Sequence, residues 1–241
     1  MSAIIMQEIT ANEFAELRKS VNIALVPIGA LEEHGSHLPL GVDSLHAWDL
    51  AKATSAIYPC FVAPLVFYGL CRSTSDHPGT ITISGNTLQN LLQDIGFSLA
   101  QQGVKGVCFL TGHAGGTHGA RMIEAGEYLL THTSLEVAVV SVMDLLKDAR
   151  KYLECPGDSH AGEMETSLAM HLWPQMVKGT APEEYPTFPS NILVRDKLSH
   201  WPGGVWGNPA LASSEKGRLL LEAEANSLAA ILAELNARIA G

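Results

Sequence analysis

Residues 22–43 read NIALVPIGALEEHGSHLPLGVD. The first seven, NIALVPI, are a continuous apolar run after the opening Asn22. A strand with one wet face alternates apolar and polar residues, so a continuous run marks a strand covered on both faces. The chain then turns polar and rich in Gly, His and acid over residues 29–41. Asp43 or Ser44 next supplies a helix cap, and the helical pattern runs to about residue 57. Buried strand, reactive loop and helix thus follow one another within one short stretch.

The same unit recurs. Residues 106–111 (GVCFLT) read as a second doubly covered strand, residues 112–119 as a Gly/His loop, and a helix follows to about residue 130. Further strands are expected at 60–67 and 135–142, with a short alternating one at 80–84. Thr10 with Glu13 forms a capping box for a helix to about residue 19. Asn86 or Thr87 opens a helix to about residue 102, where Gly103 suits the residue after the helix end. Another helix starts near Gly162 and carries Met164, Leu168 and Leu172. Ser213 or Ser214 opens an Ala/Leu-rich helix to about residue 239. Residues 185–209, rich in Pro, Gly and Trp, read as a long ordered loop. Strands alternating with helices predict an α/β fold with a mostly parallel sheet, in a single domain spanning 1–241.

Composition narrows the function classes. The chain carries 15 Lys+Arg against 25 Asp+Glu, a formal charge of −10. With no cationic run it lacks what phosphate binding requires, so no nucleic-acid partner is expected. Charged residues are 17% of the chain, below the roughly 25% typical of soluble domains. That predicts surface covered by neighbouring subunits, or else an unusually Ala-rich core. The longest apolar stretch, around residues 60–71, is too short for a bilayer and contains Pro64 and Gly69, so no membrane partner is expected. Cys60, Cys71, Cys108 and Cys155 are scattered without a CxxC pair, which reads as buried thiols in a reducing cytoplasm. No basic n-region precedes an apolar segment at the N-terminus, so no secretory signal is expected.

Three loops carry chemistry. In the first, Glu32, Glu33, His34, His37 and Asp43 crowd behind one strand. Imidazole and carboxylate together form the ligand set of Zn²⁺, Mn²⁺ or Fe²⁺. In the second, Thr111-Gly112-His113-Ala114-Gly115-Gly116, the glycines allow close backbone approach. A phosphate cradle is the alternative, but the loop lacks the GK[ST] ending and the GxGxxG register. The third, residues 158–167, enters a helix. Its acids suit a helix N-terminus without further purpose, but that account leaves His160 unexplained. A turn at Asp76-His77-Pro78-Gly79 has a sufficient reason in its Pro-Gly pair, with His77 close enough in sequence to serve a site.

Together these segments resemble the creatininase (creatinine amidohydrolase) family. The matching stretches are PIGALEEHGSHLPLGVD at 27–43, PGTI at 78–81, TGHAGG at 111–116 and HAGEMETS at 160–167. The resemblance implies a hydrolase with two divalent metal ions per chain on a three-layer α/β/α sandwich, assembled as a homohexamer. It assigns Glu32, Asp43 and His113 to one ion, and His34, Asp43 and Glu165 to the other, with Asp43 shared. Zinc is the expected metal, with manganese or iron as alternatives. The resemblance makes His160 a proton shuttle to the leaving nitrogen, a role Glu33 could share. His77, Gly115 and Gly116 are expected to contact a small-molecule substrate, and His37 to orient a ligand.

The sequence also departs from creatininase proper. That enzyme has a Tyr-Glu pair after the loop histidine, where this chain has Ala114 and Gly115. It has tryptophans between the loop helix and the HAG element, where this chain has none between Trp48 and Trp173. The departures point away from creatinine itself and make Glu165 the last ligand. They favour the wider family, whose members act on formamides, peptides and oxidised inositols. The expected reaction is hydrolysis of a C–N bond in a small (cyclic) amide or formamide. A lactone or oxidised cyclitol substrate is the rival within catalysis, and a non-catalytic metal- or sugar-binding protein the rival outside it.

Overall fold

The computed structural model describes residues 2–189 and 191–240. Five parallel strands form one sheet: β1 (Ile4–Ile5), β2 (Ile23–Ile28), β3 (Phe61–Val62), β4 (Gly106–Thr111) and β5 (Glu136–Ser141), in the order β1-β3-β2-β4-β5. The helices are α1 (Ala11–Leu17), α2 (Val42–Ile57), α3 (Gly85–Gln101), α4 (Gly116–His132), α5 (Val142–Ala149), α6 (Glu163–Leu172) and α7 (Ser214–Ala240). None of the described helices is long and apolar enough to cross a membrane.

Side-chain alternation along the central strands builds two cores. Ala24, Val26 and Ile28 of β2, with Val107 and Phe109 of β4, pack against Leu88 and Leu92 of α3 and Met122, Ala125 and Leu129 of α4. Their sequence neighbours Ile23, Leu25, Cys108 and Leu110 face the other way, onto Leu50 of α2, Leu145 of α5, and Leu228 and Leu232 of α7. Every residue of β2 and β4 is buried. The continuous apolar runs are therefore strands sandwiched between two helical layers, as the sequence implies.

Register places the site. β2 and β4 pair from Ile23↔Gly106 to Ile28↔Thr111. Both strands thus end at one level, and the two reactive loops leave the sheet side by side at its carboxyl edge, where ligands bind in such sheets. Gly112 holds the contact close: a Cβ there would collide with the Asp43 carbonyl oxygen.

Several elements differ from expectation. The strand expected at 60–67 is a ladder only at Phe61–Val62, with one further bridge from Val66 to Ile28. Pro64 lies between and has no N–H to give. The strand expected at 80–84 reduces to an isolated antiparallel bridge, Ile81 to Leu31. β1 is two residues long and α5 eight, both too short for periodicity to reveal. The Thr10–Glu13 capping box is present, and Gly103 adopts φ +84° beyond α3. At α2 the cap position falls to Gly41, which frees the Asp43 carboxylate to point into the site.

Candidate metal centre

The loop after β2 delivers Glu32, Glu33 and His34, the first turn of α2 delivers Asp43, the loop after β4 delivers His113, and the first turn of α6 delivers Glu165. All six side chains are buried. The Asp43 carboxylate sits between two imidazoles. Its Oδ2 lies 3.1 Å from His113 Nδ1 and its Oδ1 lies 3.1 Å from His34 Nε2. Glu32 Oε2 is 2.8 Å from the same His113 nitrogen, and Glu165 Oε2 is 3.5 Å from the same His34 nitrogen. Two triads result, Glu32/Asp43/His113 and His34/Asp43/Glu165, sharing one aspartate. They are the two sets named from the sequence.

The second nitrogen of each imidazole is tied to the backbone. His34 Nδ1 donates to the Glu32 carbonyl at 3.1 Å, and His113 Nε2 donates to the Leu70 carbonyl at 3.2 Å. With the far nitrogens so fixed, His34 Nε2 and His113 Nδ1 are the nitrogens that face the carboxylates. This is the arrangement by which proteins aim an imidazole at a metal. Glu32 Oε1 accepts from Thr74 Oγ1, and Glu165 Oε2 accepts from the Ala161 N–H at 2.5 Å. Among the described residues, Glu32 Oε2 and Asp43 Oδ2 are buried without a hydrogen-bond partner. Buried polar atoms are rarely left so, and these two are the oxygens that face His113.

Charge explains the protonation pattern. Burial opposes ionisation throughout. It is outweighed at His34 by Asp43 and Glu165 and at His113 by Glu32 and Asp43, so both imidazoles lie well above the usual histidine range. The same pairs hold Asp43 well below the usual carboxylate range and Glu165 below it. Two neighbouring histidines shift the other way. Burial and the neighbouring His34 bring His37 down to about 4, and burial with His113 brings His118 to about 3. His37 Nε2 pairs with Thr166 Oγ1 at 2.8 Å in the turn that also carries Glu165. His118 accepts from the Leu70 N–H at 3.1 Å and packs edge-on against His113. Four carboxylates, Glu32, Glu33, Asp43 and Glu165, are packed into one buried place. Such a group demands compensating positive charge, and two divalent cations would match it. Oxygen and nitrogen donors of this kind fit Zn²⁺, Mn²⁺ or Fe²⁺.

His160 stands beside the second triad. Its ring centroid is 4.2 Å from that of His34, and its Nε2 is 2.9 Å from the Glu33 carbonyl oxygen and 3.5 Å from Glu33 Oε1. Burial and His34 would lower its pKa, but Glu33, Glu32 and Glu165 raise it overall. His160 could also close a donor group with His34 and Glu165. Glu33 is itself held below the usual carboxylate range, because His160, the Gly35 N–H and His77 outweigh its burial.

A cavity of about 170 Å³ opens onto these groups. Gly115 and Gly116 line it at the start of α4. Gly115 has a steric reason to be glycine, since a Cβ would come within 2.5 Å of His113 Nε2. His77 falls elsewhere: it sits behind Glu33, 3.8 Å from Oε1, and lines a neighbouring groove with Glu33, Glu183 and Glu184. Its placement is thus behind the wall of the cavity, not in it.

Sequence reasoning missed two walls of the cavity, Trp201 and Trp206. Both come from the Pro/Gly/Trp-rich segment, which folds back so that Trp206 and His160 exchange backbone hydrogen bonds of 2.7 and 3.2 Å. Trp201 lies 5.1 Å from the His160 ring and is anchored by its Nε1–H to the Val205 carbonyl at 2.8 Å. Tryptophan thus enters the cavity wall from a part of the chain later than the stretch between Trp48 and Trp173. The only signal was tryptophan in an otherwise turn-rich stretch. Thr74 and Cys71, which also reach Glu32, had none.

A family model described as Creatininase: Creatinine amidohydrolase matches residues 7–232. Creatinine amidohydrolase from Pseudomonas putida is 27% identical over 242 residues, covering 91% of this chain and 92% of the relative. The mycofactocin precursor peptide peptidase of Mycolicibacterium smegmatis is 30% identical over 232 residues, covering 89% and 85% respectively. Among solved structures, a manganese creatininase superposes with a TM-score of 0.88 at 27% identity, covering 96% of this chain and 98% of its own.

Proposed function

The chain belongs to the creatininase family of hydrolases acting on C–N bonds, and we propose that it is a binuclear metal-dependent amidohydrolase acting on a small amide or formamide. The observation that carries this reading is the shared aspartate. Each Asp43 oxygen faces a different imidazole whose far nitrogen is pinned to the backbone. A carboxylate so placed would serve both ions of a two-metal site. Zinc is the metal favoured, with manganese or iron compatible with the same donors.

When bound, two such ions would supply Lewis acidity at the substrate carbonyl and a water whose pKa falls from about 15.7 to about 7. The chain's own groups do the rest. Glu32, Asp43 and His113 on one side and His34, Asp43 and Glu165 on the other hold the charge in place. His160 reaches over His34 and gives a proton to the leaving nitrogen. Glu33, at 3.5 Å, holds the His160 ring, takes the proton that the attacking water gives up and returns it to His160. Gly115 and Gly116 leave room for the substrate against the start of α4. Trp201 and Trp206 close the opposite wall and exclude bulk water. The cavity, about 170 Å³, lies below the roughly 300–1,000 Å³ of drug-sized pockets, which supports a substrate of few heavy atoms. A homohexamer in the cytoplasm, with one catalytic domain over 1–241, completes the reading; its low charged fraction of 17% supports subunit contacts.

The test is metal content and turnover of the protein and of Asp43→Ala, against a panel of cyclic amides, formamides, short peptides and cyclic ketones. The wild type is expected to hold about two ions per chain, and the variant to lose both ions and all hydrolysis. Full metal and full turnover in the variant would remove the bridge from the mechanism. Turnover of the ketones alone would move the activity to cyclitols.

A further inference from the structure

The four cysteines do not share one environment. Cys60 and Cys108 lie in the apolar core beneath α2 and α7. Cys155 pairs with the Tyr185 hydroxyl at 3.1 Å. Cys71 is fully buried too, but it faces the metal centre. Its Sγ, a Glu32 carboxylate oxygen and a His113 ring nitrogen all lie within 4.8 Å of one another. Sγ makes no hydrogen bond among the described residues, while the Cys71 N–H is fixed on Thr82 Oγ1 at 2.9 Å. The preceding residue, Leu70, accepts from His113 and donates to His118. The segment that carries Cys71 is therefore the same one that aims His113. The second observation is Glu32 Oε2, a buried carboxylate oxygen without a hydrogen-bond partner in this group.

We propose that Cys71 Sγ is a further donor to the ion held by Glu32, Asp43 and His113, and that it makes this site select zinc over manganese. The inference rests on the metal reading given above. Coordination replaces the thiol proton by the ion and releases that proton to water. Thiolate is a soft ligand suited to zinc, whereas carboxylate and carbonyl oxygens suit manganese. The site on the other side of Asp43 draws only on oxygen and nitrogen donors, so the two positions differ in kind. Mixed loading follows: zinc at the Cys71 side, and a harder ion tolerated at the His34–Glu165 side.

The experiment uses the full-length protein stripped of metal and titrated with Co²⁺ under argon. Cobalt bound to thiolate absorbs by sulfur-to-metal charge transfer in the near ultraviolet, apart from the visible ligand-field bands that report any bound cobalt. The wild type is expected to show the charge-transfer band, saturating with a single equivalent. Cys71→Ser and Cys71→Ala are expected to lack it while retaining the visible bands. In competition, Cys71→Ser should lose zinc affinity by at least about tenfold, the lower end of what even an outer-shell change costs a metal site, with manganese affinity unchanged. Two bound cobalt ions in the wild type without the charge-transfer band would overturn the proposal and leave the binuclear reading standing. No cobalt bound at all would sink both. The wild-type spectrum decides the matter even if a variant fails to fold.

Discussion

Removing the Glu224 carboxylate should destabilise the fold far more than its distance from the substrate cavity suggests. Glu224 on α7 is fully buried and its Oε2 lies 2.7 Å from Nε2 of His46 on α2. Asp43 stands one turn earlier on the same helix, so the pair clamps α7 onto the helix that carries the shared ligand. Burial alone would depress the His46 pKa, but the Glu224 charge and hydrogen bond, with Glu165 and Asp43 beyond, raise it above the usual histidine value. In Glu224→Gln the imidazolium loses its counter-ion. Breaking one side of a buried ion pair costs about 3–5 kcal/mol. At roughly 2–4 °C per kcal/mol for a chain of this size, Tm should fall by about 6–20 °C. The pH dependence follows from the raised value. Below the unfolded-state pKa of about 6.5 both states carry the proton and the pair's contribution is complete. As pH rises through the higher folded-state pKa, the folded protein gives up that proton and the contribution is lost. The Tm gap between wild type and variant should therefore be widest in mild acid and narrow toward alkaline pH. Calorimetry on metal-free protein across a pH series measures it. A Tm for Glu224→Gln equal to wild type in mild acid, or a gap that widens with pH, would refute the reasoning. The double replacement His46→Leu with Glu224→Leu should recover most of the loss, because an apolar pair needs no compensation.

Three further outcomes are expected. His160→Ala should keep both metals by elemental analysis and lose turnover by roughly 10²–10⁴-fold; loss of metal instead would make His160 a ligand beside His34 and Glu165. Gly204 has φ +64°, and a Cβ there would run into the Glu33 carboxylate. Gly204→Ala should cost about 1–2 kcal/mol for the backbone alone and lower kcat by displacing Glu33, so wild-type kcat would remove Glu33 from the proton path. Burial pushes the Asp158 carboxyl up to about 6, against the lowering effect of the Met164 and Glu163 amides it caps. The folded state therefore holds a proton that the unfolded state has lost over roughly pH 4–6, and stability attributable to Asp158 should fall by about 1.4 kcal/mol per pH unit across that window. Denaturant titrations of wild type and Asp158→Asn should show that slope only in the wild type, and equal slopes would exclude it.

Much of the fold was legible because its signals are local. The runs at 22–28 and 106–111 are apolar on both faces, and a chain alternating such strands with helices leaves few architectures. Glu32, Glu33, His34 and Asp43 could be named together because one loop and one helix turn hold them. His113 and His160 were nameable only through a family resemblance, since a single histidine in a loop carries no geometric information. His77 shows the limit of that reasoning: a position next to a family landmark said nothing about which side of Glu33 the ring would occupy.

The rest required the tertiary structure, because it depends on contacts that periodicity does not report. Asp43 can serve two imidazoles only because β2 and β4 end in register and bring residue 113 against residue 43. Glu33 meets His160 across 127 residues, His37 meets Thr166 across 129, and His46 meets Glu224 across 178. Trp201 and Trp206 reach the cavity through a loop whose path follows its backbone pairing with residues 160 and 184. Cys71 reads in sequence as one more buried thiol, and its orientation toward Glu32 and His113 emerges from the packing. Sequence by itself determined which residue types sit at the carboxyl ends of the buried strands. The packing of helices and returning loops over the sheet decided which atoms meet, since donor distances depend on how separate elements cross and not on any one element's composition.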